Sequence, residues 1–445
     1  MAARASKCFN GLAQNCQARS NIPRQKEAEL FHTVRKGLLC FALAGAAMIG
    51  LAPWAGAQTY DLLLKGGRVI DPANHLNAVR DVAIAGDRIA RVAENIPAAE
   101  ARKVVDVAGF YVTPGLVDLH THVFVEGPGG LGLYPDLNAF PSGVTTVVDA
   151  GSSGWKNFEE FKARIIYKAK VRVLAFLNIV AVGMDPGGEQ NLDEMDARAT
   201  AEMISKYRQI LVGVKTAHYR GPEWEALDRA FEAGRLANVP VMVDFQPQPT
   251  RTYADLLLRH MRPGDIHTHM YAQHIPLLYS EDKVNEFVRQ ARKRGVLFDV
   301  GHGARSFWFR IAVPALEQHF APDTISTDLH QRSALIPQAN MTTTLSKFLN
   351  MGMPLEEVIL RSTLSPARAI HRPDLGTLSV GATADIAVLE LQKGTFGFVD
   401  SGHARLAGNQ KLRCVLTVRA GKIVWDAEGL SSPDWRKAGK YKVME

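Results

Sequence analysis

Between residues 114 and 371 the chain repeats one pattern: an apolar run, a loop and, in several repeats, an amphipathic stretch. The runs end near Leu119, Val148, Val180, Lys215, Asp244, His269, Val300 and Asp328, so eight runs recur 25 to 35 residues apart. Helical periodicity fills several of the gaps, as in Phe158–Ala169, Pro222–Asn238 and Glu281–Arg294. Eight strand–helix repeats predict an α/β fold, a (β/α)8 TIM-like barrel. An open doubly wound sheet is the competing arrangement for the same pattern.

The flanks read differently. Residues 58–113 hold short strand-like segments split by Gly66-Gly67 and Gly86-Asp87, which look like two-residue hairpin turns. Residues 372–436 return to strands at Ala384–Leu391, Leu412–Arg419 and Lys422–Trp425. The expectation is one small β-sandwich domain built from both chain ends around the barrel of residues 114–371, with 437–445 as a tail.

Charge must be read by position. The chain carries 52 Lys+Arg against 45 Asp+Glu, a net +7 that at first suggests an anionic partner. Residues 1–57 hold seven of the basic residues and two of the acids, so the rest is nearly balanced. A balanced body gives no electrostatic case for nucleic acid. Arg35-Lys36 precede the apolar Gly37–Ala52, and Ala55-Gly56-Ala57 follows. That order is a signal peptide with cleavage between Ala57 and Gln58, and it implies export, to the periplasm. The apolar run is short for a membrane span, though an uncleaved anchor is the alternative. Cys8, Cys16 and Cys40 lie in this leader and only Cys414 follows it, so the mature chain has no intrachain disulfide. Cys414, in a strand-like segment, reads as a buried small hydrophobe.

Polar residues stand where the runs end. The first run closes in His120-Thr121-His122, and two imidazoles at i and i+2 leave an extended segment on one side. Two such nitrogens suit a borderline-soft cation such as Zn²⁺. Lys215 closes the fourth run, a costly place for an ammonium unless its charge is paired or changed. Asp244 closes the fifth, His267-Thr268-His269 the sixth and Asp328 the eighth, with His330 just beyond. The seventh runs from Asp299 to His302, which stands between two glycines and is assigned to substrate binding. His218 follows Lys215 closely and is a second candidate for the substrate, together with Tyr219 and Arg220. Any one histidine is most simply a hydrogen-bonded core or loop residue. Candidate ligands at five strand ends around one barrel mouth are not explained that way.

The order HxH, strand-4 Lys, strand-6 His, strand-8 Asp resembles the amidohydrolase superfamily. The segments VTPGLVDLHTHVF, GDIHTHMY, FDVGHG, DTISTDLH and PDLGTLSVGATADIAVLEL are similar to its amidohydrolase/deacetylase, dihydroorotase-like branch. The resemblance implies a metal-dependent hydrolase of a C–N bond, whether amide, cyclic amide or N-acyl, in a small-molecule substrate. It implies two divalent metals, usually zinc. His120, His122 and Asp328 would hold one metal and His269 the other. Lys215 would be carboxylated by CO₂ to a bridging carbamate. A metal-bound hydroxide would attack the carbonyl, and Asp328 would act as general acid and base, taking the water's proton and passing it to the leaving group. The family commonly has a histidine where this chain has Asp244. Asp244 then ligates as a carboxylate, or His218 or His267 supplies the nitrogen, or the centre holds one metal. Two alternatives stay open: an ester or carbamate hydrolase using the same residues, and a non-catalytic binding or assembly protein on the same fold. A homo-oligomer is equally open.

Overall fold

The computed structural model describes residues 59–280 and 282–440. The leader and its expected cleavage point lie outside the described residues. Among the described residues no helix is long and apolar enough to cross a membrane.

The N-terminal flank forms β1 (Leu62–Asp71), β2 (Leu76–Ala85), β3 (Arg88–Ala93), β4 (Val104–Asp106) and β5 (Tyr111–Pro114). Gly86-Asp87 does turn β2 into β3, which pair antiparallel. Gly66-Gly67 does not make a turn: β1 runs straight through it, with a register shift against β2 between Leu64 and Gly67. The reason is close packing. A Cβ on Gly67 would come within 2.5 Å of the Val112 side chain, so the glycine admits a neighbouring strand rather than reversing the chain.

The central segment supplies β6 (Leu116–Thr121), β7 (Val144–Gly154), β8 (Arg172–Asn178), β9 (Leu211–Thr216), β10 (Val241–Val243) and β11 (Ile266–His267). A small hairpin of β12 (Leu278–Ser280) and β13 (Lys283–Val284) precedes β14 (Leu297–Phe298). The order β6-β7-β8-β9-β10-β11-β14 follows the chain, and every neighbouring pair is parallel. Helices such as Ala197–Lys206, Glu225–Ala237 and Glu286–Lys293 connect the strands. The result is a curled parallel sheet of an α/β fold. The eighth apolar run bonds to both edges of this sheet. Val300 N–H donates to Thr324 O at 3.1 Å and His122 N–H to Leu329 O at 3.0 Å, with parallel bridges Asp299–Thr324 and Thr121–Leu329.

Two apolar layers fix which way the side chains face. Val117, Leu119, Val148, Ala150, Leu174, Phe176, Met242 and Ile266 form one buried cluster. Val241, Val243, Phe231 and Leu256 belong to another. Alternation along β10 therefore returns Asp244 to the side of Met242.

The C-terminal flank adds β15 (Ile386–Val399), β16 (Arg405–Arg419) and β17 (Lys422–Asp426). β15 pairs with β5, so both flanks join one sheet in the order β17-β16-β15-β5-β1-β2-β3, with β4 on β1. Leu62, Val69 and Val82 from one end share a buried cluster with Ile386, Val388 and Val415 from the other. Cys414 is a buried free thiol, and burial pushes it up to about 12. It packs as the small apolar residue expected.

Candidate metal centre

His120, His122 and Asp328 come together where β6 ends beside the eighth run. One donor atom from each lies within 4.8 Å of the others. Asp328 Oδ1 stands 3.0 Å from His122 Nε2 and 3.4 Å from His120 Nε2. All three are buried. Their outward-facing atoms are set by partners behind them. Thr268 Oγ1 donates to Asp299 Oδ2 at 2.8 Å, so it accepts from His120 Nδ1 at 2.9 Å. That fixes the proton on Nδ1 and leaves Nε2 bare toward Asp328. His122 Nδ1 is held 3.0 Å from Ser152 Oγ, whose backbone N–H donates to Asp149. Burial is the largest cause that holds the His120 ring at about 3, well below the usual imidazole range. It is a neutral donor, as cation binding requires. Burial opposes the Asp328 carboxylate, but His120, His330 and His122 around it hold it far below the usual carboxylate range.

A second group faces the first. His269 Nδ1 lies 2.6 Å from the Gly301 carbonyl, which only accepts, so Nδ1 donates and the ring is held with Nε2 turned to the cavity. That Nε2 is 3.5 Å from Asp244 Oδ2, and His218 Nε2 is 3.1 Å from the same oxygen. His218 Nδ1 meets Glu189 at 3.1 Å. Burial works against a charged His218, yet Asp244 and Glu189 on its two sides raise it to about 10. Asp244 Oδ1 is buried with no hydrogen-bond partner among the described residues. Lys215 lies between the groups, 2% exposed, with Nζ 3.3 Å from His120 Nε2. No carboxylate is within ion-pairing distance of it among the described residues. Burial pulls its amine below the usual lysine range.

This donor set fits divalent cations. Three imidazoles turn their Nε2 atoms toward two carboxylates, and one carboxylate oxygen is buried without a hydrogen-bond partner among the described residues. Imidazole nitrogens beside hard oxygens suit zinc or a similar first-row ion.

All these groups line one cavity of about 370 Å³. Of the residues expected from sequence, His120, His122, Lys215, His218, Asp244, His269 and Asp328 line it, and His302 does not. His302 is fully buried behind the wall. Its Nδ1 bonds the Gly303 carbonyl, Lys347 Nζ is 2.7 Å from its Nε2, and its ring stacks on Phe307. No face is left for a substrate. His267 likewise points away, packing against Tyr253 and Phe298, because strand alternation sends it opposite to Thr268.

Sequence reading missed the support. Asp299 accepts from Thr268, Thr324 and Ser326 and so fixes His120 at one remove. Thr327 donates to Asp118 from both its N–H and its hydroxyl, anchoring the loop before Asp328. Nothing but an acid inside an apolar run flagged either one. His274, Gln246 and His330 join the lining from loops.

The backbone is forced here. His218, His269 and Asp328 have φ of 56°, 60° and 44°, unfavourable for side chains. Gly303 has φ 54°, and a Cβ there would sit 2.3 Å from Asp328 Oδ2. Gly303→Ala is therefore expected to lower kcat at least about tenfold by displacing Asp328, since a ~1 Å misplacement can cost far more. Unchanged kinetics would show that Asp328 does not need its present position.

The comparisons agree with this geometry. The model of the amidohydrolase family matches residues 111–424. A deacetylase of Brucella anthropi is 31% identical over 359 residues, covering 78% of this chain and 88% of the relative. A deacetylase of Agrobacterium fabrum is 32% identical, covering 72% and 81%. Among solved structures, an adenine deaminase superposes with TM-score 0.76 at 30% identity, covering 82% of this chain and 99% of that one. A dihydroorotase gives TM-score 0.74 at 28% identity over the same shares. The chain belongs to the amidohydrolase family, and it is an enzyme of that hydrolase class.

Proposed function

We propose that this enzyme hydrolyses a C–N bond of a small non-peptide substrate at a two-cation centre carried by a closed (β/α)8 barrel. One observation carries the proposal: the Nε2 atoms of His120 and His122 converge with Asp328, each ring held from behind. The eighth run's bonds to both sheet edges support closure. Relatives named deacetylase, adenine deaminase and dihydroorotase support C–N chemistry.

His120, His122 and Asp328 would hold the inner cation. His269 and Asp244 would hold the outer one, with His218 against the same carboxylate. Lys215, carboxylated by CO₂, would supply oxygens to both. Bound there, the cations supply Lewis-acid charge and make a water acidic near neutral pH.

The chain's own residues then move the proton and place the substrate. Asp328 is ionised and opens on the cavity, so it accepts a proton from the attacking water and returns it to the leaving nitrogen. His330 Nε2, 3.8 Å from Asp328 Oδ2, stabilises that carboxylate on its other side. Asp299 and Ser152 keep the His120 and His122 rings from turning. The enclosing loops shield the site, which strengthens every charge interaction inside.

Metal analysis of purified protein is expected to find two divalent cations per chain. Chelation should abolish hydrolysis across a panel of small amides, and zinc or manganese should restore it. Protein without stoichiometric cation, or activity indifferent to chelation, would overturn the proposal.

A further inference from the structure

Beyond the reacting groups, the cavity has a distinct outer charge. Arg220, Arg305 and Arg332 line it, each from a different segment of the chain. Arg220 follows β9, Arg305 follows the glycine pair around His302, and Arg332 lies in the short helix Gln331–Leu335. All three are exposed at the mouth. Their backbones are anchored. Arg220 N–H donates to Gln190 Oε1 at 3.0 Å, Arg332 N–H to His330 Nδ1 at 3.1 Å, and the Arg305 carbonyl accepts from Trp308 Nε1 at 3.0 Å. Their guanidinium groups are not. Among the described residues none of the three has a carboxylate, carbonyl or ring partner. Elsewhere in the fold such partners are common, as for Arg172 and Arg419 on Asp385 or Arg413 on Glu390.

The acids of the cavity cannot serve them. Asp244 and Asp328 are the acidic residues in its lining, and each is enclosed by histidines. Three unpaired cations therefore ring the entrance of a small cavity whose floor holds the reacting groups. Unpaired guanidinium groups at a pocket mouth present planar forks of donors with no acceptor, and these match a carboxylate. At about 370 Å³ the cavity takes a small molecule, one whose acyl group reaches the floor while its other end stays among the arginines.

We propose that Arg220, Arg305 and Arg332 form a carboxylate-recognition site, so that the substrate is an amide bearing a free carboxylate on the side away from the acyl carbon. N-acyl amino acids are the simplest compounds of that class. The assignment rests on the C–N hydrolase reading above, and its test separates the two.

Matched pairs decide it. The holoenzyme is assayed on N-acetyl amino acids and on the corresponding N-acetyl amino acid amides, which differ in charge but scarcely in size. The carboxylate member is expected to be preferred at least about tenfold in kcat/KM, mostly through KM, and the preference should shrink as salt is raised. In the variant R220Q/R305Q/R332Q the loss on the carboxylate member should exceed the loss on its neutral partner at least about tenfold. Equal rates for the pair, or equal losses in the variant, would overturn the site. Preference for a matched aminoalkylphosphonate over the carboxylate would overturn the carboxylate assignment. Calorimetric titration with benzoate gives a readout free of turnover. Binding that falls in the triple variant supports the site, and binding that survives unchanged puts the carboxylate on the cations and overturns it. If no compound of the panel is hydrolysed while benzoate binding still depends on the arginines, the hydrolase reading fails and the anion site stands.

Discussion

Asp328→Asn is expected to keep cation content near the wild-type level and to lower kcat by about 10²–10⁴-fold. The amide retains an oxygen where the carboxylate meets His122 and His120, so a donor atom remains. The lost function is the proton's. A carboxylate that is surrounded by His120, His330 and His122 is ionised throughout the neutral range, and it opens on the cavity where water and substrate meet. An amide oxygen has no comparable affinity for a proton and cannot carry one from water to a leaving nitrogen. Its NH₂ would also face His330 where the carboxylate presents an acceptor. Cation content by elemental analysis and kcat on the best amide of the panel are the two measurements. Near-normal turnover would remove Asp328 from proton transfer. Loss of cations together with turnover would make it a ligand first.

The meeting of these polar groups in one cavity was readable because two periodicities coincide. The period of strand–helix repeats gives the parallel sheet, and a parallel sheet delivers all its strand ends to one side. Ligand-type residues at those ends, from His120 to Asp328, therefore meet although they are far apart in sequence. What the pattern cannot carry is the direction of a side chain once the strand has ended. His302 and His269 both follow short strands, yet His269 turns inward at φ 60° while His302 is drawn outward to Lys347. His267 and His269 are two apart and still diverge, because the left-handed residue breaks the alternation that would align them. The flanking glycines were misread for a similar reason. Gly301 and Gly303 make room for Thr268 and Asp328 side chains rather than for a ligand. Support residues were invisible because Asp299, Asp118 and Asp149 lie within apolar runs and show their purpose only through hydroxyls and N–H groups brought from other strands. The long ribbon of β15 and β16 was legible only at its apolar base. Its outer part, with Gly394, Gly397 and Gly408, alternates exposed and half-buried positions along β16, and Phe398 is its one buried residue.

Lys215→Ala is expected to abolish measurable turnover and lower cation content toward one per chain or less, with partial recovery of both in added acetate or propionate. The reasoning starts from cost. A protonated Lys215 would be an ammonium 2% exposed, beside a histidine at 3.3 Å and the Met242 sulfur at 3.6 Å, with no paired carboxylate. Burying an unpaired charge costs several kcal/mol, and a buried lysine avoids it by losing its proton. The neutral amine that results is a nucleophile toward CO₂. Its lone pair forms the N–C bond, one C–O electron pair moves onto oxygen, and a nitrogen proton leaves to water. The product is an anion where the scaffold would not tolerate a cation, set between the His120 and His269 groups whose rings lie 5.0 Å apart. Such an anion is what two cations need between them, and an alanine leaves space that a free small carboxylate can enter. A carbamate also has its own signature. Protein loaded in ¹³C-bicarbonate should show one carbamate resonance that Lys215→Ala lacks. Full activity in the alanine variant, or a wild-type spectrum without that resonance, would leave Lys215 as no more than a neutral amine in the wall of the site.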